Sequence, residues 1–159
     1  MVSLDERKEK KASARNECAC FDLDLRRTTR AVTRMYDDCM RGSGLTITQF
    51  SLVRLIAFDE GIAISSIGRS MLMDRTSVRR ALDPLEKNEL VCIESGEDRR
   101  VRAVRLTVKG RLLLAEAEPR WLAAQESLLK LIGTDRWDSM RKLLRDTARL
   151  VIHRDDVQK

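Results

Sequence analysis

Asp74-Arg-Thr-Ser-Val-Arg-Arg-Ala-Leu-Asp-Pro-Leu-Glu-Lys87, followed by Leu90-Val-Cys-Ile-Glu-Ser95, Gly96-Glu-Asp-Arg-Arg100 and Val101-Arg-Ala-Val-Arg-Leu106, is the stretch that decides the fold. Asp74 has the side chain of a helix N-cap. At about 100° per residue, Val78, Ala81, Leu82 and Leu85 share one face, while Thr76, Arg79, Arg80, Asp83 and Lys87 project from the other. One face is core and the other largely basic. Pro84 removes the hydrogen bond to the Arg80 carbonyl and is expected to bend the helix. Two Val- and Ile-rich runs, Leu90 to Ser95 and Val101 to Leu106, then read as a hairpin with an arginine-rich tip.

The flanks supply the rest of a helical protein. Upstream, Thr46 and Gln49 have capping-box spacing for a helix through about Phe58, closed by Gly61, and a short helix follows at roughly Ala63 to Ser70. Farther back, apolar residues from Phe21 to Met40 recur at helical spacing within a helix read over Cys18 to Met40, ended by Gly42-Ser43-Gly44. Downstream, Leu113, Ala117, Trp121, Ala124, Leu128 and Leu131 mark a long stripe that Gly133 breaks. Asp135 is expected to cap a last helix carrying Trp137, Met140, Leu144, Ala148, Val151 and Ile152.

The charge is as uneven as the pattern. The 159 residues carry a formal +6, and between Arg69 and Arg111 11 Lys and Arg face 7 Asp and Glu, a local +4. Such focusing is the footprint of a nucleic-acid contact. No apolar run reaches the roughly 18–20 residues of a membrane span, and the start lacks a secretory core, so a cytoplasmic location is expected, with Cys18, Cys20, Cys39 and Cys92 as thiols. Cys39 and Cys92 read as packing residues. One histidine, His153, and no Cys-x-x-Cys leave no metal set, and no nucleophile beside a base or glycine-rich phosphate loop suggests an enzyme or a cofactor.

Short helices with a basic last face, then a hairpin, make a winged helix-turn-helix. The fold class is mainly α with a small β-wing, flanked by N- and C-terminal helices that form a dimerisation region. The expected divisions are a flexible tail (1–16), a dimerisation helix (17–44), the DNA-binding lobe (45–110) and C-terminal dimerisation helices (111–159). Arg75, Thr76, Ser77, Arg79 and Arg80 on the recognition helix, with Arg99, Arg100 and Arg102 of the wing, are the candidate contacts to double-stranded DNA. Arg75 lies nearer the core flank and suits a phosphate, the Asp98 carboxylate or a base. The terminal helices carry more apolar stripe than the lobe alone covers, so self-association is expected.

At these residues the sequence resembles the MarR family of bacterial transcriptional regulators. Asp98-x-Arg100, Leu106-Thr107 and Gly110 match its wing signature; Leu45-Thr46, Gln49-Phe50, Met73 to Thr76, Arg26-Arg27 and Val32 to Tyr36 resemble it too. The resemblance implies a homodimer reading a pseudo-palindrome, most simply a repressor. It also implies a small-molecule effector between dimer core and lobe, Arg100 in the minor groove, and Asp98 holding an arginine of the lobe. Asn88-Glu89-Leu90 departs from the family's usual Gly before Leu, with Asn88 expected to take the left-handed cap. Cys18-Ala-Cys20-Phe21 resembles the peroxide-sensing branch and offers an alternative thiol switch, but alignment through Arg26-Arg27 and Tyr36 puts Asp22 at the sensing position and Asp24 where a tyrosine belongs. A protein-interaction winged helix without DNA binding is the other alternative, opposed by the retained arginines.

Overall fold

The computed structural model describes residues 20–95 and 102–157. It groups into two units, the first ending at Asp38 and the second beginning at Cys39. Helix α1 (Phe21–Met40) fills most of the described part of the first, with Asp22 and Arg26 paired at 2.7 Å along its exposed side. Cys18 lies outside the described residues.

In the second unit, α2 (Ile47–Phe58) starts at the expected capping box: the Gln49 amide donates to Thr46 Oγ1 at 3.3 Å and the Thr46 amide to Gln49 Oε1 at 3.0 Å. Strand β1 (Ile62–Ala63) and α3 (Ile64–Met71) follow. Leu72, left-handed at φ 53°, turns the chain into α4 (Arg75–Lys87), whose N-cap is Asp74: the Ser77 amide donates to Oδ1 at 2.9 Å and the Ser77 hydroxyl to Oδ2 at 2.7 Å. These two bonds hold the Asp74 carboxyl below its ordinary pKa. Strands β2 (Val91–Ser95) and β3 (Arg102–Leu106) pair antiparallel from Val91 opposite Leu106 to Ser95 opposite Arg102. Then come α5 (Val108–Ile132), capped by Thr107, and α6 (Thr134–Val157).

Three features differ from the sequence expectation. The sheet has three strands, ordered β1-β3-β2, because Ile62 and Ala63 pair with Val104 and Ala103. Two residues are too few to show an alternating period. Asp135 does not cap the last helix but lies inside its first turn; Gly133 both closes α5 and accepts the Trp137 amide at 3.0 Å, leaving no room for a separate cap. The left-handed residue after α4 is Glu89 (φ 59°), not Asn88. Leu90 N–H reaches the Leu85 carbonyl (2.8 Å) and Glu89 N–H the Glu86 carbonyl (2.9 Å), the paired bonds of a Schellman ending in which the residue usually glycine is Glu89.

That ending is strained, since a Cβ in the left-handed region costs about 1–2 kcal/mol. Glu89→Gly is therefore expected to stabilise the protein by about 1 kcal/mol in chemical denaturation, glycine's extra chain entropy offsetting part of the relief. A loss of stability would mean that the exposed Glu89–Lys109 pair at 3.6 Å outweighs backbone strain.

The core joins these elements. Phe50, Val53, Ile56, Ile67, Val78, Leu82, Leu85 and Val104 are essentially fully buried, with Met40, Leu106 and Ala117 in the same cluster. Its function here is to fix α4 against the sheet.

Candidate nucleic-acid interface

Helix α4 buries Val78, Leu82 and Leu85 and leaves Arg75, Thr76, Arg80, Asp83 and Lys87 exposed. The expected candidates are not equivalent. Arg80 and Thr76 stand in solvent on the outer face. Arg79 is half-buried and clasped: Nε meets Asp83 Oδ1 at 2.9 Å and Nη2 meets Glu86 Oε2 at 2.8 Å. The clasp spans Pro84, where the helix lacks a backbone donor, and replaces part of the lost axial tie. Ser77 spends its hydroxyl on Asp74.

Arg102 is exposed at the start of β3, and with Arg69 and Arg75 it lines a cleft of about 380 Å³. Arg69 was not among the residues singled out from sequence; its one signal is that it opens the basic stretch. Asp98, Arg99 and Arg100 lie outside the described residues.

The wing base is tied to both α4 and α5. Thr107 Oγ1 donates to the Glu89 carbonyl at 2.7 Å and accepts the Gly110 amide at 3.0 Å, while Thr107 N–H donates to the Leu90 carbonyl at 3.1 Å. One side chain thus caps α5 and holds the start of the wing.

Comparison with known proteins agrees with this geometry. The MarR family model matches residues 45–101. The HTH-type transcriptional regulator MhqR of Bacillus subtilis (strain 168) is 25% identical over 122 residues, 76% of this chain and 84% of its own. Among solved structures, the M. tuberculosis transcriptional regulator MOSR in complex with DNA superimposes with a TM-score of 0.77 and 29% identity, covering 84% of this chain and 97% of that one. Over its winged helix-turn-helix lobe the chain is similar to MarR-family regulators. The repressor CouR bound to a 23-mer DNA duplex gives a TM-score of 0.74 and 25% identity over 93% of this chain and 99% of its own. Both of these solved relatives are transcriptional regulators in complex with DNA.

The protein also has an aromatic pocket that its sequence did not reveal. Phe50, Ser51, Arg54, Leu55, Phe58, Ser70, Met71 and Trp121 line about 370 Å³ among α2, α3 and α5. Trp121 stacks on Phe50 with centroids 5.6 Å apart, and the Arg54 guanidinium lies 4.0 Å over the Trp121 ring. Phe58 is 91% exposed at the rim. Among the described residues no group of three or more His, Cys, Asp or Glu could hold a metal, and no helix is long and apolar enough to cross a membrane. Cys20 is exposed just before α1, and Asp22 is paired with Arg26.

Proposed function

We propose that the protein represses transcription as a homodimer on a pseudo-palindromic operator and leaves it when a small molecule occupies the aromatic pocket. The observation that carries this reading is the outer face of α4, where exposed Thr76 and Arg80 sit on a helix anchored by a buried apolar face and an Asp74 cap. Such a helix lies in the major groove, where an arginine fork pairs with both guanine acceptors. Arg75 and Arg102 serve the backbone, Arg99 and Arg100 the neighbouring minor groove, with Asp98 holding the wing. Half-sites about one turn apart, roughly 10 base pairs, follow from two-fold symmetry.

Arg79 supports rather than reads. Its charge is met by two carboxylates, so release to a base edge would cost both ion pairs. Support for the pocket comes from its chemistry, a stacked ring beside a guanidinium, which suits a planar anionic ligand. CouR, 26% identical, is also known bound to p-coumaroyl-CoA.

The test is titration of a duplex selected by the protein from a random pool at several salt concentrations. Affinity is expected to fall linearly on a log-log plot, with Arg80→Ala costing about 1–3 kcal/mol and relaxing preference at one position per half-site. Arg79→Ala is expected to keep both slope and preference while lowering the thermal midpoint. Salt-independent affinity would leave the protein-interaction alternative standing.

A further inference from the structure

We propose that Met71 and Met73, which flank the turn between α3 and α4, are a modification site: a peroxide converts their thioethers to sulfoxides and takes the recognition helix off DNA until methionine sulfoxide reductases reverse the change. The proposal rests on the DNA-binding reading above and adds to it a control that needs neither a ligand in the aromatic pocket nor a cysteine.

The methionines of the described residues differ in access. Met40 is sealed in the core at 1% exposure, Met140 is exposed on α6, and Met35 of α1, Met71 and Met73 are half-buried. Met71 and Met73 both line an opening of about 140 Å³ between the start of α2 and the flank of α4. Leu52, Ala81 and Pro84 form its apolar wall, and Thr46 and Gln49 on the same wall are closed on each other as the α2 capping box. Met71 also lines the aromatic pocket and Met73 the cleft beside Arg75, so a molecule as small as hydrogen peroxide has two approaches to each side chain.

A thioether is soft and polarisable. Its lone pair attacks one oxygen of hydrogen peroxide; an S–O bond forms as the O–O bond breaks, the proton of the transferred hydroxyl passes to the departing hydroxide, and water leaves. Sulfur gives up two electrons and the peroxide takes them. A polar, chiral sulfoxide then stands where an apolar side chain was packed.

The turn has little room to adapt. Leu72, between the two methionines, is left-handed at φ 53°, a conformation that a side chain disfavours. Met73 N–H donates to the Gly68 carbonyl at 2.9 Å, and a Cβ on Gly68 would stand 2.8 Å from the Met73 carbonyl oxygen. Both methionines pack against the core cluster that holds Val78 and Leu82 of α4, and Met73 directly precedes the Asp74 cap. A sulfoxide here either carries its oxygen out to water or leaves a strong acceptor unsatisfied. The first draws the side chain off the cluster, the second weakens the turn, and both shift the start of α4.

The experiment treats the full chain with hydrogen peroxide and then with dithiothreitol, which returns disulfides and sulfenic acids to thiols and leaves sulfoxides in place. Peptide mass spectrometry reads each methionine, and affinity is measured on the pool-selected duplex. The expected result is oxidised Met71 and Met73 with Met40 untouched, an affinity roughly tenfold weaker, and recovery after both methionine sulfoxide reductases, one for each sulfoxide epimer. The double variant Met71→Leu, Met73→Leu keeps volume and apolarity, so it is expected to bind like wild type and to hold its affinity under peroxide. Met71 and Met73 left intact while Met140 oxidises overturns the site, as does full oxidation with unchanged affinity. A double variant that loses affinity as wild type does assigns the effect to another residue and also overturns it. If the double variant binds weakly before oxidation, recovery of wild type by the reductases decides alone. Untreated wild type with salt-independent affinity overturns the DNA reading instead. The thermal midpoint then decides the site: a fall on oxidation in wild type and not in the double variant upholds it, and equal falls overturn it.

Discussion

Gly110→Ala is expected to destabilise the protein by about 3 kcal/mol or more, at the upper end of the cost of overpacking. A Cβ at Gly110 would stand 2.1 Å from the Leu90 carbonyl oxygen and 3.0 Å from its carbon. Neither atom can move alone. The same carbonyl accepts the Thr107 amide, and Leu90 N–H is tied to Leu85 at the end of α4. Relief therefore requires α5 to lift from the wing base or the wing to shift against α4, and either breaks the Thr107 bonds to Glu89 and Gly110. Equilibrium unfolding by circular dichroism reads the loss. A change under about 1 kcal/mol would mean that the joint yields, and would remove the claim that Gly110 fixes the wing. At temperatures where the variant stays folded, its DNA affinity is expected to fall as well, because the wing no longer keeps its distance from the recognition helix.

This joint also marks what the sequence made legible. Leu106-Thr107 and Gly110 stand out as a motif, and the structure supplies the cause: a cap, a strand tie and a close approach that only glycine permits. The Thr46–Gln49 box and the Asp74 cap were equally readable, because capping is local chemistry over three residues, whereas Ser77, read as a DNA contact, is the cap's partner. Legibility ends where the partner is distant or the departure is steric. Nothing near Ile62 predicts its pairing with Val104, forty-two positions away. Glu89 in a left-handed conformation runs against intrinsic preference, and the Leu85 and Leu90 anchors override it. Helical wheels grouped Arg79 with Arg80 on the basic side without revealing that Asp83 and Glu86 neutralise one of the two. The Trp121–Phe50–Arg54 pocket draws on two helices separated by most of the lobe, so it has no linear signature.

The proposed dimer carries the other large effect. Helix α6 exposes Leu143 (65%) and Leu150 (73%), which lie seven apart and so on one side, with Leu144 and Val151 beside them. In a monomer these are ordinary surface positions, and Leu150→Glu would change stability by no more than about 0.5 kcal/mol. In a two-fold dimer that covers α6 the same substitution occurs twice in one interface, and each unpaired buried carboxylate costs about 3–5 kcal/mol. The expected result is a wild-type dimer in light scattering, a monomeric Leu150→Glu at the same concentration, and loss of binding to the two-half-site duplex with residual affinity for one half-site. Leu143→Glu is expected to behave alike. Dimeric variants with unchanged DNA affinity would move the interface away from this face of α6, and a monomeric wild type would end the dimer reading. Because the core cluster around Phe50, Ile56 and Leu82 includes no residue of α6 among the described residues, a folded monomer that holds α4 but misses its second half-site is the state that separates loss of assembly from loss of fold.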